Sequence, residues 1–268
     1  MADSDVAVIK SGRFVASGLR GLSSGLVVVL AVAGCAAGGS ATAPAESAAI
    51  TPVAAATASP CPTPAGTVPN VFSVPGEFAE LEPRETYWVD PDFDPCTPLR
   101  VLYTIPADGW LAWTGTFKPE EGAEDRRVGV SIVTVTNLVV EGCTDHSLAD
   151  PPVGPTVDDL ATALADLGPF VVTSPPSDVT IYGYSGKHLE LTLPEMQFSD
   201  CVGDEVISWD APVLSYPFHG YLPRMIEEFW ILDVHGSRLV IVANRTPDSA
   251  PEAIEEMQAV LDSIQIEP

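Results

Sequence analysis

Apolar positions alternate with a strand's period over most of residues 101–268 and take a helix's period in two stretches, which divides this part of the chain into elements. Residues 101–105 and 110–117 read as strands separated by Pro106-Ala107-Asp108-Gly109, which has the residues of a tight turn. Residues 128–140 are strongly β-branched, and their apolar phase flips between Ile132 and Val133. That flip predicts a bulge or a strand that changes its covering. A helix follows: Thr156 and Asp159 have capping-box spacing, Leu160, Leu164 and Leu167 recur on one face, and Gly168-Pro169 stops the run. Residues 179–183 and 187–193 form a hairpin in which Leu189, Leu191 and Leu193 alternate with His188, Glu190 and Thr192, and residues 205–209 form a further strand.

Residues 228–234 and 238–243 flank His235-Gly236, a two-residue hairpin loop with glycine in second place. Neither Phe229-Trp230-Ile231-Leu232 nor Leu239-Val240-Ile241-Val242 alternates, so both faces of these strands are expected to be covered. Ser249 and Glu252 have the spacing of a second capping box, after which Ile254, Met257, Val260 and Leu261 stripe one helical face. A short strand over residues 263–267 closes the chain.

The first 76 residues have a different character. Lys10, Arg13 and Arg20 form a basic region, residues 21–33 are an uncharged apolar core, and Val32-Ala33-Gly34-Cys35 follows. This arrangement resembles the signal peptide of bacterial lipoproteins. The resemblance implies cleavage before Cys35, a diacylglyceryl group on its sulfur, and attachment to the outer face of the cytoplasmic membrane. Residues 36–76 are Ala, Pro, Thr, Ser and Gly with a single charge, Glu46, and read as a disordered, extended tether. The expected organisation is a signal peptide at 1–34, the lipidated cysteine and linker at 35–76, and one globular domain at 77–268.

Charge narrows the partners. Removing the leader takes away Asp3, Asp5, Lys10, Arg13 and Arg20 and leaves nine basic against thirty-five acidic side chains, a formal charge of −26. Such a field repels phosphate backbones and anionic lipid, so nucleic acid is excluded as a partner and membrane attachment falls to the acyl chains. Cys61, Cys96, Cys143 and Cys201 remain beyond Cys35, and an even number outside the cytoplasm reads as disulfides. Of the three connectivities the favoured one joins Cys143 to Cys201, each just after a strand, and Cys61 to Cys96.

The Ile-Pro turn before Gly109-Trp110, the β-branched strand, the helix capped at Thr156, the Gly183-Tyr184-Ser185-Gly186-Lys187 hairpin and a terminal helix running into Leu261-Asp262-Ser263-Ile264 together resemble the PsbP-like α/β sandwich. That superfamily includes lipid-anchored actinobacterial proteins of the LpqN type. The resemblance implies an α+β fold, an antiparallel sheet flanked by helices, and an accessory module that acts by docking onto partners. A pattern of elements does not carry an activity.

No catalytic or metal motif emerges, and no cofactor is expected. Gly183-Tyr184-Ser185-Gly186-Lys187 lacks the spacing and the helix of a phosphate loop. Asp90, Asp92 and Asp94 lack the glycine and the bidentate glutamate of a calcium loop. Cys143-Thr144-Asp145-His146 has no second ligand pair for zinc. His146, His188, His219 and His235 stand beside no nucleophile, and Asp145-His146 is the nearest thing to an acid–base pair. The binding candidates are the rings of Trp209, Tyr216, Phe218 and Tyr221, which combine aromatic walls with turn residues. The reading is therefore a lipid-anchored, non-enzymatic module that binds an envelope protein or a small apolar or sugar-like ligand. Its alternative is an envelope hydrolase using Asp145 and His146.

Overall fold

The structure is a computed structural model that describes residues 68–76, 78–92, 99–210 and 222–267. Cys35, Cys61, Asp94, Cys96, Tyr216, Phe218, His219 and Tyr221 lie outside the described residues. In chain order the first strands are β1 (Thr86–Val89), β2 (Arg100–Thr104), β3 (Leu111–Ala112), β4 (Gly115–Glu120), β5 (Ala123–Val133), β6 (Asn137–Glu141) and β7 (Asp145–Leu148). Helix α1 (Val157–Ala165) precedes β8 (Val171–Ile181), β9 (Tyr184–Thr192), β10 (Trp209–Asp210), β11 (Ile226–Val234) and β12 (Ser237–Arg245). Helix α2 (Pro251–Asp262) and β13 (Gln265–Glu267) complete the domain.

Seven strands form one antiparallel sheet in the order β3-β4-β5-β12-β11-β9-β8. Its central strands are apolar on both sides, as the unbroken runs at 229–232 and 239–242 require. Trp230, Leu232, Leu239, Ile241, Val130 and Ile132 face a core shared with α2 and the small sheet β1-β2-β13. Phe229, Ile231, Val240 and Val242 face a second core shared with α1, β6 and β10. The phase flip at Ile132 and Val133 marks the point where the chain changes cores: Val130 and Ile132 belong to the first, Val133 and Val135 to the second, and the chain leaves the large sheet for β6.

The turns follow their residues. His235 and Gly236 adopt φ of 53° and 88°, and Tyr182 and Gly183 adopt 53° and 87°, the paired left-handed conformations of a tight hairpin turn. The capping box at α1 forms as expected, with Asp159 N–H donating to Thr156 Oγ1 at 3.1 Å and Thr156 N–H donating to Asp159 Oδ2 at 3.0 Å. Arg238 anchors this corner by donating to the carbonyls of Val135 (2.8 Å), Gly154 (2.6 Å) and Thr156 (3.2 Å).

Four local expectations change. Residues 110–117 are not one strand: the chain reverses at Trp113 and Thr114, and β3 pairs with β4. Gly115 permits this crossing, since a Cβ there would stand 2.2 Å from the Val130 carbonyl oxygen. Of the strand expected at 205–209 only Trp209 joins a ladder, together with Asp210 beyond it, and Ile207 N–H and the Ser208 carbonyl bond the backbone of Gly142 and Val139 outside that ladder. Ser249 does not cap α2. Its hydroxyl bonds Thr246 and the Arg127 carbonyl, and the Glu120 carboxylate accepts from Ala250 N–H at 2.7 Å instead. Finally, β8 begins at Val171 rather than at 179; Pro175 and Pro176 are tolerated because β8 is an edge strand with register shifts on either side of Ser174.

Candidate functional site

The face of the large sheet that carries Phe229 and Val242 changes character one pair further along. Asn244 continues the inward series Val240, Val242 on β12, and Glu227 continues Ile231, Phe229 on β11. These two stand opposite each other, Asn244 stands opposite Gly129 of β5, and Gly129 stands opposite Phe117 of β4. A single row across four strands therefore reads Phe117, Gly129, Asn244, Glu227, where β12 and β11 carry Val242 and Phe229 one same-face position away. Glu227 is 1% exposed and Asn244 5%.

Above this row lies a cleft of about 300 Å³ lined by Phe78, Trp113, Thr116, Phe117, Arg127, Ser131 and Asn244. Its floor is polar. Burial lowers the pKa of the Arg127 guanidinium from its ordinary value, and the carboxylate of Glu227 pulls it back upward. Thr116 Oγ1 is spent on the Leu111 carbonyl at 3.0 Å. Asn244 Oδ1 is buried and has no hydrogen-bond partner among the described residues. A buried amide oxygen left unpaired costs about 1–3 kcal/mol, so it marks a place where a donor is wanted.

The wall is aromatic and half open. Trp113 is 39% exposed and Phe78 43%. Their ring centroids are 5.2 Å apart with planes 31° apart, and Phe117 meets Phe78 edge-on at 5.6 Å. Leaving rings this open forgoes part of the about 1.5–3 kcal/mol that full burial of such a side chain yields.

The backbone fixes both rings. Ala112 N–H donates to the Ala79 carbonyl and Leu81 N–H to the Trp110 carbonyl, both at 2.8 Å, so the segment bearing Phe78 runs along β3 beside Trp113. The buried Tyr103 hydroxyl donates to the Gly115 carbonyl at 2.9 Å and pins the reversal that presents Trp113. Phe78 itself sits at φ 51°, a left-handed conformation that a phenylalanine adopts only under constraint, and such constraint concentrates at binding sites.

The sequence-derived candidates fall elsewhere. Trp209 is 2% exposed and packs against Phe229 in the α1-side core, with ring centroids 5.8 Å apart. Tyr216, Phe218 and Tyr221 lie outside the described residues, as do Cys35, Cys61 and Cys96. Cys143 and Cys201 are joined, with sulfurs 2.11 Å apart, inside a small core with Leu193, Val206 and Met225. No hydrogen bond joins Asp145 to His146: the Ser147 side chain, and the Ser147 N–H that donates to Asp145 Oδ1 at 3.0 Å, lower the Asp145 pKa with a smaller contribution from the nearby His146, while His146 Nε2 lies 3.0 Å from the Gly142 carbonyl. A histidine–carboxylate contact does occur between His188 Nε2 and Glu228 Oε1 at 2.8 Å, on the opposite side of the sheet from the cleft. Among the described residues no group of three or more His, Cys, Asp or Glu side chains is placed to hold a metal ion, and no helix is long and apolar enough to cross a membrane.

Sequence reasoning missed Asn244, Arg127, Trp113 and Phe78. The usable signal was the polar continuation of the apolar runs 229–232 and 239–242, Glu227 before Phe229 and Asn244 after Val242, which reads as strand ends until the pairing of Ile226 with Arg245 shows that both strands extend further.

No family model matches the chain, and no curated protein matches it. Among solved structures, it is similar to LpqN of Mycobacterium tuberculosis, described as involved in cell envelope biogenesis, with 11% identity and a TM-score of 0.32 over 71% of this chain and 90% of that one. It is similar also to cyanobacterial PsbP (CyanoP) from Synechocystis sp. PCC 6803, with 10% identity and a TM-score of 0.29 over 71% of this chain and 98% of that one. At TM-scores this low neither likeness assigns a fold or a function to the chain.

Proposed function

We propose that this chain is a lipid-anchored extracytoplasmic binding module, not an enzyme, whose small-molecule ligand enters the cleft between Trp113, Phe78 and Asn244. The observation that carries the reading is the unpaired Oδ1 of buried Asn244 at the base of an aromatic-walled cleft. Small-molecule sites combine apolar walls with a few placed polar groups in this way. The Cys143–Cys201 bond favours an oxidising compartment, and Val32-Ala33-Gly34-Cys35 supplies the attachment.

Mass spectrometry of what the purified full chain releases on denaturation tests the binding half. A small molecule is expected from the wild type and not from Trp113→Ala; identical profiles would remove the cleft from consideration. Radiolabelled palmitate tests the anchor: label is expected on the wild type and absent from Cys35→Ser, and equal labelling would overturn it.

A further inference from the structure

We infer that the ligand of the cleft is a neutral, saturated ring carrying several hydroxyl groups, chemically a single glycosyl or cyclitol unit. This rests on the cleft being a binding site and adds its chemical class. Charge decides against ionic ligands. Arg127 is the cation of the floor, and the Glu227 carboxylate acts on it electrostatically. An anionic ligand would have to compete with that carboxylate and enter against a chain of formal charge −25. A cationic ligand would meet the guanidinium directly.

The polar atoms that face the cleft ask for groups able both to donate and to accept. Asn244 Oδ1 needs a donor, and the Ser131 hydroxyl can donate or accept. Adjacent hydroxyls on one ring satisfy such a set without moving any charge. A plain hydrocarbon would leave the buried Asn244 Oδ1 without a donor.

The walls ask for a flat, weakly polarised face. An aromatic π face is negative and attracts the positive edge of C–H bonds, and a pyranose or cyclitol presents a sheet of them to Trp113 and Phe78. Size fits one ring: about 300 Å³ is the low end of the range of about 300–1,000 Å³ that ligand pockets occupy.

Saturation-transfer NMR on the full chain tests the class, with methyl β-D-glucopyranoside, N-acetylglucosamine and myo-inositol as neutral hydroxylated rings, benzoate as the anionic ring and toluene as the apolar one. The expected result is saturable binding of at least one neutral hydroxylated ring, lost in Trp113→Ala and weakened about tenfold in Asn244→Ala. Binding of benzoate or toluene alone, lost in Trp113→Ala yet unchanged in Asn244→Ala, overturns the ligand class while the cleft remains a binding site. Binding of no probe in any class overturns both.

Discussion

Asn244 lies directly across the ladder from Gly129, and a Cβ placed on Gly129 would stand 3.0 Å from Asn244 Oδ1 and 3.1 Å from the Cβ of Phe117. The glycine leaves the space that the Asn244 amide and Phe117 occupy. Because Phe117 Cβ is fixed to its backbone, the added atom would displace the freer partner, the Asn244 amide.

Gly129→Ala is therefore expected to damage binding more than folding. Overpacking costs about 1–3 kcal/mol, and removing a glycine from a strand returns about 0.5–1 kcal/mol of it. The return offsets part of the cost, so urea unfolding should remain cooperative with a net loss of at most about 2.5 kcal/mol. Titration of the neutral ring that binds the wild type should show affinity reduced at least tenfold. Unchanged affinity would mean that Asn244 does not contact the ligand.

The disulfide between Cys143 and Cys201 closes a loop of 58 residues. Its removal as Cys143→Ser with Cys201→Ser is expected to cost about 4 kcal/mol from loop-closure entropy. Exchange protection should fall first around Leu193, Val206 and Met225, whose small core surrounds the bond. Hydrogen exchange read by mass spectrometry checks both; even loss of protection over the whole domain would contradict the local part of the expectation.

Arg238 bridges backbone that the ladders do not hold: the Val135 carbonyl after β5 and the Gly154 and Thr156 carbonyls before α1. A hydrogen bond from a charged donor contributes about 1.5–3 kcal/mol, so Arg238→Ala should lower stability by about 2–3 kcal/mol in chemical denaturation. Arg238→Lys should recover little, because an ammonium lacks the planar fork that reaches separate acceptors. Full recovery by lysine would mean that charge rather than fork geometry matters here.

Much of the fold was legible because it depends on local rules. Thr156 with Asp159, His235-Gly236 and the non-alternating runs at 229–232 and 239–242 each form the structure that their local pattern favours. The failures share a cause in tertiary context. Residues 110–117 read as continuous because Trp113 and Thr114 carry no turn chemistry, and the reversal comes from Gly115 pressed on Val130 and from the Tyr103 hydroxyl, which is distant in sequence. Ser249 has capping spacing but is claimed by the Arg127 carbonyl on another strand.

The cleft was the least legible part. Its residues come from five separate segments, those of Phe78, Trp113, Phe117, Arg127 with Ser131, and Asn244, and only the pairing of β4, β5 and β12 makes them neighbours. The hydrophobic pattern placed Trp209 among the ring candidates because it sees an aromatic beside a turn-rich stretch and cannot see that Phe229 covers it.

The most direct test is an NMR titration of the ¹⁵N-labelled full chain with N-acetylglucosamine and, separately, methyl β-D-glucopyranoside, following the Asn244 side-chain amide and the Trp113 indole N–H. A ligand in the cleft should shift both signals together and saturably, with the Trp209 indole, buried against Phe229, unmoved. Asn244 and Trp113 signals that stay in place while others shift, or a spectrum that does not change with either sugar, would contradict the assignment of the cleft as a site for neutral hydroxylated rings.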